Sequence, residues 1–139
     1  MTTRKVNAII ERASDGGYGV YCPDIEGTAL CGYGRTEEEA KSDLLEVLEM
    51  NIERFQEINE PLPEGLNGGD IEFEYSYDFS GFFQSYPVFN VSELAKYIGI
   101  NPSLLRRYKT GEKFASREQR KKIEEGIHAL ARNLSAVSF

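Results

Sequence analysis

The most reactive-looking stretch of this 139-residue chain is NPSLLRRYKTG, residues 101–111, where Arg106, Arg107 and Lys109 crowd together in a protein of formal net charge −7. Ser103 and Arg107 are four apart, so a helix would place them on one face. A guanidinium there has the right fork of donors for guanine O6 and N7, which points to base recognition rather than catalysis. The carboxylates suggest less. Metal-assisted phosphoester hydrolysis needs acidic groups converging on two ions about 4 Å apart. Asp24 follows a proline in a turn, and the glutamates of 36–58 are spread around a helix, so no converging set is marked. Cys22 and Cys31 with the lone His128 do not make the four ligands of a structural zinc site. The cysteines are read as reduced thiols packed as small hydrophobes, with a disulfide as the alternative. His128, beside an apolar stripe, is read as a partly buried structural residue. The expectation is a binding protein, not an enzyme, without metal or cofactor.

The elements that would position these residues fall into two regions of opposite charge. Residues 1–88 hold 6 Lys and Arg against 18 Asp and Glu, whereas residues 89–139 hold 10 against 5. Such asymmetry implies two surfaces with different partners. No run of about 18 apolar residues exists to span a bilayer, and the N-terminal residues turn polar too early for a secretory signal. A cytoplasmic location is expected.

In the acidic region, 6–13 and 17–25 flank Asp15-Gly16-Gly17 and read as a hairpin, with Val6, Ala8 and Ile10 on one face. A third strand is expected over 27–34. Thr36 and Glu39 form a capping box opening a helix to about Ile58. Its buried stripe should be Ala40, Leu44, Val47, Leu48, Phe55 and Ile58. After a loop at 61–70, IEFEYSYDF (71–79) alternates strictly between apolar or aromatic residues and acidic or polar ones. The expected architecture is α+β, with the helix across an antiparallel β-β-β-α-β sheet. The expected divisions are a first domain at 1–80, an aromatic linker at 81–89 and an all-α domain at 90–139. Phe82, Phe83, Tyr86 and Phe89 of the linker are read as packing between domains or at a dimer interface.

In the basic region Asn90 and Glu93 cap one short helix, Gly99 ends it, and Asn101-Pro102 open a second that Gly111 closes. Leu105 and Tyr108 face inward. This is the helix-turn-helix pattern. A longer helix over 116–134 should carry Ile123, Ile127, Leu130, Ala131 and Leu134 on one stripe, and its apolar end could dimerise the chain.

The spacing of Leu94, Ala95, Gly99, Leu105, Tyr108 and Gly111 resembles the Xre/Cro-like helix-turn-helix family. That resemblance implies that Ser103 and Arg107 reach base edges, that Arg106 is exposed beside them, and that the turn Thr110–Lys113 lies near phosphates. The DNA-binding set expected is therefore Ser103, Arg106, Arg107, Lys109, Thr110 and Lys113.

The segment 17–48 resembles the HicB antitoxin family in Tyr18, Pro23, Asp24, Gly27, Gly34, Thr36, Glu38, Glu39 and Ala40, with Asp43 one turn on. The resemblance implies a partial ribonuclease-H-like domain that binds and occludes a small mRNA-cleaving HicA-type toxin. It also implies that the second domain represses the chain's own operon as a dimer or tetramer on double-stranded operator DNA. Tyr18, Tyr21, Asp24, Glu26 and Tyr33 are the expected toxin-binding residues. Glu26, Thr28 and Arg35 depart from the family pattern. They leave open a stand-alone transcriptional regulator with a degenerate HicB-like domain.

Overall fold

The computed structural model describes residues 3–139. They divide into two compact units, one through Ser76 and one spanning Tyr77–Phe139. The fold class is α+β, a four-stranded sheet with a helix followed by an all-helical region.

In the first unit the strands are β1 (Thr3–Arg12), β2 (Tyr18–Tyr21) and β3 (Cys31–Gly34), followed by helix α1 (Glu37–Glu57) and strand β4 (Asp70–Tyr77). The sheet order is β3-β2-β1-β4. Asp15-Gly16-Gly17 does turn β1 into β2. Gly16 sits at φ 91°, Gly16 N–H donates to the Ala13 carbonyl, and Gly17 N–H donates to the Asp15 carboxylate. β1 pairs with β2 and β2 with β3 in antiparallel register, Ile10 opposite Val20 and Val20 opposite Gly32. The sheet as a whole is mixed rather than antiparallel as expected, which makes β1–β4 the parallel pair. The cause is the helix between β3 and β4: it carries the chain across the sheet and returns it in the direction of β1. The second and third strands are also shorter than the 17–25 and 27–34 expected. Residues 22–30 form a connection in which Cys22 and Leu30 retain one backbone hydrogen bond.

Two glycines decide how α1 lies on the sheet. A Cβ on Gly32 would stand 2.5 Å from the Ala40 carbonyl oxygen, and one on Gly34 would stand 2.5 Å from the Ala40 amide nitrogen. No side chain fits between β3 and the helix backbone. The register then puts Tyr18, Val20 and Ile10 on the helix side and Ile9, Tyr21, Cys31 and Tyr33 on the other. Val6, Ala8, Ile10, Val20, Ala40, Leu44 and Leu48 form the core. Each fully buried aliphatic side chain contributes about 1.5–3 kcal/mol relative to exposure. The expected helix stripe is shortened at its end. Val47 and Phe55 are half-buried and Ile58 is exposed, because the helix runs past the short strands beneath it.

The cysteines lie on opposite faces and are both free. Burial pushes the Cys22 thiol up to about 12, while Cys31 is exposed. A thiol held that far above neutral pH supplies almost no thiolate nucleophile. Under native conditions a disulfide-exchange reagent is expected to titrate one thiol per chain, and two after denaturation. Two fast-reacting thiols in the folded protein would contradict this packing.

The second unit contains α2 (Ser80–Ser85), α3 (Val91–Ile98), α4 (Pro102–Thr110) and α5 (Arg117–Ser135). The stretch expected as a linker at 81–89 thus begins within a helix, and the division between units falls before it. Phe83 is buried, and Phe82 meets Phe83 edge to face, lies tilted on Tyr86 and stacks on Phe89, with centroids 5.2–5.9 Å apart. Phe79 lies 6.4 Å from Tyr108, and Tyr77 exchanges two backbone hydrogen bonds with Ala115. The expected α5 stripe is buried only at Ile123. Ile127 and Leu130 are half-buried, and Ala131, Leu134 and His128 are exposed. The last turn of α5 touches α3 through a polar contact, Asn133 donating to the Tyr97 hydroxyl at 2.7 Å, and leaves Ala131 and Leu134 uncovered. Among the described residues no helix is long and apolar enough to cross a membrane.

Candidate nucleic-acid and partner interfaces

Local chemistry holds the helical pair in the second unit. Asn90 caps α3 by accepting from the Glu93 amide at 3.1 Å, and Asn101 caps α4 by accepting from the Ser103 amide at 2.8 Å. Such caps stabilise by about 1 kcal/mol each. Gly99 and Gly111 end the two helices at φ 92° and 77°, a conformation costly for any residue with a Cβ. Lys122 of α5 reaches back and donates to the Gly99 carbonyl at 2.9 Å, placing a positive charge at the negative end of α3. Leu94, Ala95, Ile100, Leu105 and Tyr108 are buried between these elements. Burial raises the Tyr108 phenol above its ordinary range.

With Leu105 and Tyr108 turned inward, the outer face of α4 is settled. At 3.6 residues per turn, Ser103, Arg106, Arg107 and Thr110 form one contiguous exposed strip. Lys109 lies on the flank of that strip, and Lys113 follows in the turn after Gly111. The Thr110 hydroxyl donates to the Arg107 carbonyl, and the Lys113 amide donates to the same carbonyl, so the turn is tied to the helix end. Arg106 donates to the Ser92 hydroxyl at 2.8 Å, at the start of α3. The periodicity of one helix carries no signal for that bond, since it joins two helices.

In the first unit the five expected partner-binding residues do not share one surface. Tyr21 and Tyr33 lie on the sheet face away from α1, with Tyr33 48% exposed. Tyr18 lies on the other face, where the Arg12 guanidinium stacks over its ring and donates to its hydroxyl. Asp24 and Glu26 belong to the connection after β2, and Asp24 is drawn to the sheet by the Asn7 side-chain amide at 2.9 Å. Tyr33 donates to the Asp15 carboxylate. That bond and the Gly17 amide lower the Asp15 carboxyl, and the same bond raises the Tyr33 phenol.

The acidic residues that open α1 have structural work. The Thr36 hydroxyl accepts from the Glu39 amide, and the Glu39 carboxylate accepts from the Arg35 amide at 2.8 Å. Asp43, one turn on, accepts from the Tyr33 amide at 2.8 Å. Thr36, Glu39 and Asp43 are spaced three and four apart, which aligns them on the helix side nearest β3. Among the described residues no group of three His, Cys, Asp or Glu is arranged to hold a metal ion.

These features have a relative. Over 61 residues the chain is 43% identical to the UPF0150 protein ssl0738 of Synechocystis sp., a match covering 43% of this chain and 82% of that protein. The chain belongs to the UPF0150 family. UPF0150 is, broadly, the HicB-like family. No protein-family model matches the chain, and no solved structure does.

Proposed function

We propose that this UPF0150 protein is the antitoxin of a HicAB-like toxin-antitoxin pair, and that it represses its own operon through the α3–α4 helix pair. The observation that carries the repressor half is the exposed Ser103–Arg106–Arg107–Thr110 strip on α4, presented by a helix whose Leu105 and Tyr108 are fixed inward. A helix so held can enter a major groove, and its arginines can meet guanine edges. Support for the antitoxin half is the HicB-like family membership together with an acidic first unit. Opposite charge speeds encounter with a small basic toxin and favours the right partner, while apolar contacts hold the complex. The operator-bound form is a dimer or tetramer, because paired recognition helices read half-sites about one helical turn apart. Exposed Leu134, Val137 and Phe139 at the end of α5 are apolar surface available for that pairing.

The decisive test is binding to the chain's own promoter. Arg107→Ala is expected to cost about 1–3 kcal/mol, roughly 5- to 150-fold in Kd, and to relax sequence preference. Arg106→Ala should weaken binding evenly across sequences and flatten the salt dependence, as loss of a phosphate contact does. Wild-type protein that prefers its promoter no more than random DNA in a gel shift would refute the repressor role. A chain that represses but binds no basic toxin would instead be a stand-alone regulator.

A further inference from the structure

The sheet of the first unit has two edges, β3 and β4, and they are treated differently. An edge strand presents unpaired amides and carbonyls to any extended chain that approaches, unless something covers them. On β3 the Tyr33 amide, turned away from β2, is closed, and so is the Arg35 amide just past the strand's end. Tyr33 N–H is held by the Asp43 carboxylate and Arg35 N–H by the Glu39 carboxylate, both at 2.8 Å. An incoming strand would have to displace two charge-assisted hydrogen bonds supplied by the protein's own helix. On β4 the last residue, Tyr77, is paired with Ala115 through two backbone hydrogen bonds, and among the described residues no side chain accepts a hydrogen bond from the amides of residues 71–76.

β4 also carries a pattern along its length. Asp70, Glu72 and Glu74 are exposed on one face, and Ile71, Phe73 and Tyr75 are half-buried on the other. We propose that β4 is the strand-addition edge of this protein, and that it takes an extended segment of a basic protein in which Lys or Arg alternates with apolar residues. Paired residues on adjacent strands share a face. Basic side chains would therefore stand beside Glu72 and Glu74, as Lys5 already does at 3.4 Å from Glu74. Apolar ones would extend the row of Ile71, Phe73 and Tyr75. A second copy of the same strand fits badly, because pairing by itself sets carboxylates beside carboxylates. The edge is open to a partner and closed to self-assembly. The proposal rests on the reading that the acidic unit binds a basic protein, and it names the strand that does so.

The test is amide hydrogen exchange on the full chain with a synthetic ten-residue peptide alternating Lys and Val. Alternate amides within 71–76 are expected to slow at least tenfold on binding, with Tyr33 and Arg35 unchanged. The same peptide with Glu in place of Lys should have no effect. The double variant Glu72→Lys/Glu74→Lys, shown folded by circular dichroism, should bind the Lys peptide at least tenfold more weakly. Peptide binding that protects β3 or the Tyr21–Tyr33 face, or that survives the double variant, overturns the edge assignment and leaves the basic-partner reading standing. Failure of the chain to bind either the peptide or any HicA-type protein overturns both.

Discussion

Gly32→Ala is expected to destabilise the first unit by about 3 kcal/mol, the upper end of the cost of overpacking a core. The added methyl carbon would stand 2.5 Å from the Ala40 carbonyl oxygen and 2.6 Å from the Leu44 amide nitrogen. Both are helix backbone, and neither can rotate aside as a flexible side chain would. α1 must therefore lift from β3, which loosens Ala40, Leu44 and Leu48 together and strains the Asp43–Tyr33 and Glu39–Arg35 hydrogen bonds. At roughly 4–8 °C per kcal/mol for a unit of this size, its Tm should fall by about 12–24 °C. Calorimetry should show the loss in one transition, and the variant should still bind DNA if the second unit is unaffected. Gly81→Ala is the control. Nothing lies within 4 Å of the position its Cβ would take, and Gly81 sits within α2 at a φ that alanine tolerates. Replacing glycine by alanine in a helix should stabilise by up to about 1 kcal/mol. Equal Tm values for Gly32→Ala and wild type would mean that α1 does not lie on β3 as closely as described.

The mirror experiment is Leu105→Ala. Leu105 is fully buried on the inner face of α4, opposite the strip that carries Ser103 and Arg107. Truncating it removes buried methyl groups and leaves a cavity, at about 2–5 kcal/mol. A unit built from four helices has little stability in reserve, so its melting transition should move to near or below physiological temperature. Promoter binding should then be lost at 37 °C although no exposed residue has changed. Leu105→Met, which conserves volume, should cost under about 1.5 kcal/mol and keep most of the binding. The first unit should melt as before, and its binding of a basic partner should persist. Full promoter affinity in folded Leu105→Ala would show that α4 is positioned by contacts other than its buried face.

Much of this protein is written locally. Asn90, Asn101 and Ser116 each cap a helix, and Gly99 and Gly111 each end one, through atoms only a few residues apart. The turn at Asp15-Gly16-Gly17 is equally local, and so is the alternation along β4. Because Leu105 and Tyr108 are three apart, the sequence alone turns Ser103 and Arg107 outward together. The family likeness over 17–48 is likewise carried by short spacings. What sequence could not determine is whatever depends on a neighbour far along the chain. The direction of β4 follows from where α1 delivers it, not from its own residues. Alternation along β2 already parts Tyr18 from Tyr21, but only the register with β3 puts Tyr33 on the side of Tyr21 and says which face meets the helix. Ile58 and Leu134 lie near the ends of their helices, where the cover runs out, whereas His128 is exposed between half-buried Ile127 and Leu130 because it lies off the stripe. An amphipathic stripe tells which side of a helix could be covered, while the length of the elements beneath it decides how far the cover extends. The roles of Glu39 and Asp43 were hidden in the same way: their spacing put them on one helix side, but only the docking of that side on β3 turned two acidic residues into caps for a strand edge.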